Sequence, residues 1–517
     1  MKRRDFVKCM GHTVAIPTIL GSFGFHNTTA RALQTLMKSA SEEGRILVMI
    51  YLQGGNDGLN TVIPLEYFSE LNQVRPEVVL KESSLSRLSK SNLAFHPSLD
   101  GFKSLYDEDR LVVIQNVGYP EQNFSHFRST DIWQSASDSN KIVDSGWIGR
   151  YLTEQHEEYP EAYPNESFPD PLAIEFGNSN SLLFQGEGST MSMVINDPDS
   201  FYNLLDDVES PAPETPAGDR LKFIRIIAKQ SQLYGQVVKN AAEKAGDQVD
   251  YPDTDLGNQL RIVGRLISGG LKTPIFKVQV RGFDTHSDQV LDGNHGEGTH
   301  SELLKELNDG VLAFMKDLEK MGRADDVVGL TYSEFGRRIV SNASLGTDHG
   351  AAAPVFVFGN KVAGGTMGTD PVIDSSMTPQ DNLEAEFDFR QVYSSLMEQW
   401  FESDSSQISN TMLKDFDTLP IIEQGKTEVL RNRNALSTFS VYPNPLNGMA
   451  TIRLLSDSSP IKIELMDVSG RVIEKIYYGD VQPGQTEVSW NTHSLKEGRY
   501  FVVLTQNNTQ KVKSVVK

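Results

Sequence analysis

Five places in this chain set Asp, Glu, His, Ser and Arg at the ends of apolar runs, and such residues can hold a cation and attack an ester. In "ILVMIYLQGGNDGLN" a run beginning at Ile46 breaks into Gly54, Gly55, Asn56 and Asp57. Asn-Asp-Gly is also strong turn chemistry, so a hairpin with "LNTVIPL" as its return strand is a second reading of this stretch. In "NVGYPEQNFSHFRSTDIW", Ser125 stands where a helix would start, either as a plain N-cap or as a nucleophile that feels the positive end of the helix dipole. In "VQVRGFDTHSDQ", Asp284 and His286 lie two apart as a strand runs out. Side chains two apart on an extended segment point the same way, so both can ligate one ion. "GLTYSEFGRR" places Glu334 and Arg337 just past a strand, and "GTDHGAAAPVFVFG" places Asp348 and His349 just before one. Each cluster alone reads as a satisfied polar loop; their recurrence at strand ends favours a site.

The elements that must position them read as α/β over residues 45–402. "RILVMIYL", "RLVVIQNVGY", "PIFKVQVRGF", "DDVVGLTYSEF" and "APVFVFGN" have the length and branching of buried strands. "DRLKFIRIIAKQSQLYGQVVKNAAEKAG" and "HSELLKELNDGVLAFMKDLEKM" repeat apolar residues at helical spacing. That rhythm predicts a mostly parallel sheet with helices on both faces, and reactive residues at the C-terminal ends of its strands.

Composition narrows the chemistry. The chain of 517 residues is 38% hydrophobic and 23% charged, with a net charge of -21. An acidic surface without clustered Lys and Arg excludes nucleic acid as a partner. Cys9 is the only cysteine, so there is neither a disulfide framework nor a cysteine zinc site. H-E-x-x-H is absent, and the lack of G-x-S-x-G disfavours a nucleophile elbow.

Both ends read as addresses. Arg3-Arg4-Asp5-Phe6-Val7-Lys8 precedes an apolar segment broken by Pro17, Gly21 and Gly24, too short to span a bilayer. It resembles a twin-arginine signal, which implies passage through the twin-arginine machinery; residues 1–44 are then signal and spacer, and the mature chain has no transmembrane segment. Residues 403–435 read as a polar linker and residues 436–517 as a small antiparallel β-sandwich. "FSVYPNPLNGMATIRL", "ELMDVSGRVI", "GRYFVVL" and "KVKSVVK" resemble the type A C-terminal sorting domain of the type IX secretion system. That implies delivery to the cell surface or the medium; an accessory sandwich that binds carbohydrate is the other reading.

"YLQGGNDGLNTVIPL", "HPSL", "VGYPEQNFSHFRSTDIW", "GFDTHSDQ", "TYSEFGRR", "GTDHGAAAPVFVFG" and "FDFRQVYSSLMEQWF" together resemble the DUF1501 family from residue 1 to about 402. The family is grouped distantly with the alkaline phosphatase and sulfatase superfamily, metal-dependent hydrolases of phosphate and sulfate esters. The resemblance implies an alkaline phosphatase-like sandwich and a divalent metal. It carries no substrate beyond that anionic ester class.

Chain order then implies roles. Asp57 is the first-strand ligand and Ser125 the nucleophile, with Ser129 or a metal-bound water as alternatives. Asp284, His286 and His349 form a site suited to Zn²⁺. Asp57 and Glu334 form a second site for Mg²⁺, Ca²⁺ or Mn²⁺. Phe335 stands where the superfamily has an imidazole, with His126 or Asp348 as the replacement ligand. Arg337 or Arg128 grips an anionic oxygen. His96 reads as structural, and His295 and His300 as surface or supporting residues. A surface protein that keeps the fold but binds without turnover is the rival reading, and Phe335 favours it.

Overall fold

Ile46–Gln53 (β1) is buried on both faces through Leu52, as the central strand of a two-sided sheet must be. Ile46, Val48, Ile50 and Leu52 face one core; Leu47, Met49 and Tyr51 face the other. The computed structural model describes residues 44–195, 230, 233–423 and most of 439–517. The twin-arginine motif and residues 219–229 of an expected helix lie outside the described residues.

Among the described residues the sheet has nine strands. After β1 come Leu111–Gly118 (β2), Ala173–Phe176 (β3), Met193–Ile195 (β4), Ile275–Arg281 (β5), Val327–Tyr332 (β6), Ala353–Phe358 (β7), Gly365–Met367 (β8) and Phe387–Asp388 (β9). Their order is β8-β2-β7-β6-β1-β5-β3-β4, with β9 also pairing β2. Every pairing is parallel except those of β7, which runs against both β6 and β2. Helices Asp100–Asp107 (α1), Asp255–Ser268 (α4) and Thr299–Lys320 (α5) contribute to the first core. Helices His126–Ser135 (α2), Trp147–Gln155 (α3) and Phe389–Gln399 (α6) contribute to the second. This is the expected α/β sandwich with a mostly parallel sheet.

The chain divides into two compact units, Met1–Ile422 and Glu423–Lys517. The second holds two antiparallel sheets, of three and four strands, over a core that includes Ile452, Ile463, Trp490 and Val502. The stretch after Phe401 holds more structure than the linker expected at 403–435. Helix Ser405–Met412 (α7) starts on an Asp404 capping box, and Ile408, Met412, Ile421 and Ile422 pack into the second core of the first unit. Its apolar residues are sparse in sequence but fall on one face.

His156 follows α3 and is only 8% exposed, with its Nδ1 2.9 Å from the Tyr163 hydroxyl and its ring edge-on to Phe168. Burial lowers it from 6.5 to about 4. An unfolded imidazole takes up a proton that the folded one refuses, so this contribution to stability is complete above pH 6.5 and fades as pH falls towards 4. Between neutrality and about pH 4.5 the loss should be about 2 kcal/mol. Thermal unfolding followed by circular dichroism should show His156→Gln losing less stability across that range than the parent, and equal losses in the two proteins would refute this.

Candidate metal centre

Four strands deliver residues to one edge of the sheet, and β7, running the opposite way, begins there. Asn56 and Asp57 follow β1; Ser125 and His126 follow β2; Asp284 and His286 follow β5; Glu334 follows β6; and His349 precedes β7. The β1 exit is no hairpin. Val62–Pro64 pairs with Leu93–Phe95 instead, after a single helical turn at Gly58–Thr61. Gly54 and Gly55 adopt φ of +125° and +93°, which L-residues rarely tolerate. A Cβ on Gly54 would lie 2.3 Å from the Asp284 nitrogen, and one on Gly55 2.5 Å from the Phe335 ring. The glycines therefore let three strand-end loops touch.

Around Asp284 three imidazoles converge through Nε2. His349 Nε2 is 3.0 Å and His286 Nε2 3.2 Å from Asp284 Oδ1, while His126 Nε2 is 3.3 Å from Asp284 Oδ2. The Nε2 atoms of His286 and His349 are 2.9 Å apart. Each remaining Nδ1 has its own partner: Glu334 Oε1 at 2.9 Å for His126, Asp348 Oδ1 at 2.9 Å for His286, and the Phe124 carbonyl at 2.8 Å for His349. A carboxylate or carbonyl on the far nitrogen is how metal-ligating histidines are oriented. The ligand atoms of His126, Asp284 and His349 all lie within 4.8 Å of one another, close enough to share one ion, while His286 falls outside that group and its Nε2 meets only Asp284 and His349.

Exposure differs across the cluster: the Glu334 side chain is 1% exposed and that of Asp348 59%, with His126, His286 and Asp284 at 35%, 44% and 46%. Burial alone would raise the Asp284 carboxyl, but the hydrogen bond to His349 and the Arg337 guanidinium bring it down to about 2. The hydrogen bond to Glu334 pushes His126 up. Burial pushes His349 down, against its bond to Asp284.

Other expected site residues are placed differently. Asp57, expected as the first-strand metal ligand, forms a buried ion pair with Arg75, and its Oδ2 also accepts from Gln289 Nε2 at 2.6 Å. Glu334 accepts from the Gly54 nitrogen at 3.0 and 3.1 Å and faces His126, so it supports a ligand. The two carboxylates of the expected second cation site are thus engaged by different partners. Asp348 likewise backs His286. Arg337 is 1% exposed and faces inward, donating to the carbonyls of Gly54, Gly55, Phe283 and Thr347 and to Asp284 Oδ1. Arg128 donates to the carbonyls of Asp138, Ser139 and Lys141. All three nitrogens of the Arg337 guanidinium are engaged inside the fold, against its expected role as a clamp on a substrate oxygen, whereas Arg128 commits Nη2 alone.

Ser129 is fully buried, with its Oγ held by the Tyr119 hydroxyl at 2.7 Å and the Asn123 carbonyl at 2.5 Å. Ser125 is exposed at the N-cap of α2, makes no side-chain capping bond, and lies between Phe124 and His126, both of which touch the centre. Phe335 is buried, its ring centroid 4.3 Å from that of His349 and 5.0 Å from that of His126. It forms an apolar wall where a further imidazole was expected. His96 accepts from the Ser98 nitrogen, His295 meets the Val79 carbonyl and His300 meets Asn56. Sequence reasoning missed Arg75, Gln289 and the Phe124 carbonyl. Gln289 stands in the quoted "GFDTHSDQ", but nothing local marks its role.

Residues 228–395 match the family described as "Protein of unknown function (DUF1501)", and residues 440–517 match the "Secretion system C-terminal sorting domain". The first match takes in Asp284, His286, Glu334 and His349; the motifs around Asp57 and His126 lie outside it. No curated protein matches the chain. Among solved structures it is similar to PorZ, a surface component of the type-IX secretion system of Porphyromonas gingivalis, at 22% identity and a TM-score of 0.14. That match covers 19% of this chain and 13% of PorZ, a small part of that protein's length. It is also similar to a protein of the alkaline phosphatase superfamily from Vibrio parahaemolyticus, at 8% identity and a TM-score of 0.32 over 91% and 79% of the two chains. Against the PsFucS1 sulfatase from Pseudoalteromonas sp. the identity is 10% and the TM-score 0.34, over 90% and 86%. Overlaps this slight carry no argument, and the fold stands on its own strand order. No helix among the described residues is long and apolar enough to cross a membrane. The sorting domain marks the chain for export, either to the medium or to the cell surface. The chain thus carries a DUF1501 region at residues 228–395 together with a secretion-system sorting domain at residues 440–517.

Proposed function

We propose that this chain is an exported, metal-dependent hydrolase of phosphate or sulfate esters, sent across the inner membrane by the twin-arginine machinery and onward by type IX secretion. The observation that supports it is the convergence of three Nε2 atoms on Asp284, with every Nδ1 already held. His126, His286, His349 and Asp284 would hold a divalent ion, Zn²⁺ by their chemistry. Such an ion supplies a Lewis acid that lowers the charge cost of attack on an anionic ester.

The chain's own groups do the rest. Glu334, Asp348 and the Phe124 carbonyl keep the three Nδ1 atoms engaged, which turns each Nε2 inward. Ser125 Oγ sits at the positive end of a ten-residue helix, which favours its alkoxide. Attack by that oxygen forms an Oγ–phosphorus or Oγ–sulfur bond as the alcohol leaves, and water then releases the inorganic anion. Phe335 keeps water from the inner side of His126 and His349.

A second reading, binding without turnover, is favoured by the inward commitment of Arg337, whose three nitrogens are all held inside the fold.

Elemental analysis of the folded protein should find one divalent ion per chain, lost in His349→Ala and His286→Ala while the circular dichroism spectrum persists. An unchanged metal content in both variants would refute the centre. With aryl phosphate and aryl sulfate as substrates, Ser125→Ala should lower turnover at least about 100-fold while keeping its ion, by comparison with the effect of removing other activated nucleophiles. Full activity in that variant would exclude Ser125 as the nucleophile, and a metal-loaded parent idle on both esters would leave the binding reading. In cells, removing residues 440–517 should hold the protein in the periplasm, and surface delivery without them would contradict the export route.

A further inference from the structure

Two loops carry three of the four converging residues: 284–286 after β5 and 347–349 before β7. One buried side chain joins them. Gln289 is 0% exposed; its Oε1 accepts from Thr285 Oγ1 at 3.1 Å and from Thr347 Oγ1 at 2.7 Å. Thr285 lies between Asp284 and His286, and Thr347 is two residues before His349. Alternation along the first loop puts Thr285 inward and Asp284 and His286 outward, so the inner hydroxyl fixes the frame from which the outer pair projects.

An amide can do this only if its oxygen faces the hydroxyls. The orientation is set on its other side, where Gln289 Nε2 donates to Asp57 Oδ2 at 2.6 Å. A carboxylate accepts and never donates when ionised, so it admits the amide NH₂ and turns the oxygen towards the threonines. Arg75 in turn pairs with Asp57 and compensates its charge in a site where both are buried. The backbone adds to the same junction: Thr347 N donates to the Thr285 carbonyl at 3.2 Å and Gln289 N to the Leu345 carbonyl at 2.9 Å.

We propose that Gln289 is a positioning residue that clamps the two ligand-bearing loops, with its amide polarity dictated by Asp57. This rests on the metal-centre reading above and assigns Asp57 a role in it other than ligation. The clamp has a donor order, Thr to Gln289 to Asp57, and the same Asp57 Oδ2 also accepts from Arg75. In Gln289→Glu two carboxylates meet where a donor and an acceptor stood.

The experiment is Zn²⁺ titration of the full chain by calorimetry, alongside its thermal unfolding without metal. Loss of a residue that orients metal ligands costs about 10–100-fold in affinity. Gln289→Glu should fall in that range. Gln289→Met, which removes the link without adding charge, should also bind more weakly while keeping the far-ultraviolet spectrum of the parent. Parent-like affinity in both single Gln289 variants would overturn the clamp. So would weakened Zn²⁺ binding in Gln289→Met that only tracks a lowered metal-free unfolding temperature, the mark of a general loss of fold. A parent chain that binds no Zn²⁺ would overturn the metal centre itself, a result distinct from the other two.

Discussion

One guanidinium, buried where strands β1, β5 and β6 run out, is the constraint on which the functional edge depends. Arg337 ties the carbonyls of Gly54 and Gly55, of Phe283 and of Thr347 to the Asp284 carboxylate. Burial lowers its basicity only in part, because Asp284 and nearby carboxylates favour the charged form. An arginine can serve four carbonyls and a carboxylate at once because its donors fan out in a fixed plane. Those carbonyls lie on loops that leave β1 and β5 and approach β7, and without a shared donor they would meet with their negative ends together. The same cation holds Asp284 ionised, which is the state that faces three imidazoles.

The edge is therefore built in layers of different polarity. Innermost are two cations, Arg337 and Arg75, each matched to a carboxylate from another element. Beside them, at similar depth, lie neutral hydrogen-bond carriers: Gln289, Thr285, Thr347 and the glycine backbone at Gly54. Outermost are the partly exposed imidazoles and Asp284. Phe335 interrupts this sequence with an aromatic face against two of the histidines. That contact fixes ring tilt by packing, where a ligating side chain in its place would have fixed it by coordination.

Much of this was legible from residue types. The buried strands showed as apolar runs, and Asp284 and His286 showed as a same-face pair because an extended chain alternates. His349 before β7 came to the same edge because β7 runs the opposite way, a reversal that no local signal in "APVFVFG" announces. The pairing of Asp57 with Arg75 is hidden for a physical reason: a carboxylate at a strand end looks the same in sequence whether a metal ion or an arginine lies beside it. The arginine concerned, Arg75, sits in "LNQVRPEVV", far from any motif. Gln289 was invisible as a clamp because its importance lies in which end of an amide faces which neighbour. Helix α7 was hidden by polar composition, since a few apolar residues at the right spacing suffice when the rest face water.

The exposure of Asp284 and His286, at 46% and 44%, has a consequence for what this edge meets. Each imidazole is aimed by a partner on the fold's own frame, so its outer nitrogen is presented to solvent at a set angle. For a chain marked for export, that face looks onto the external medium, and the composition outside the cell, not inside it, sets what these donors encounter.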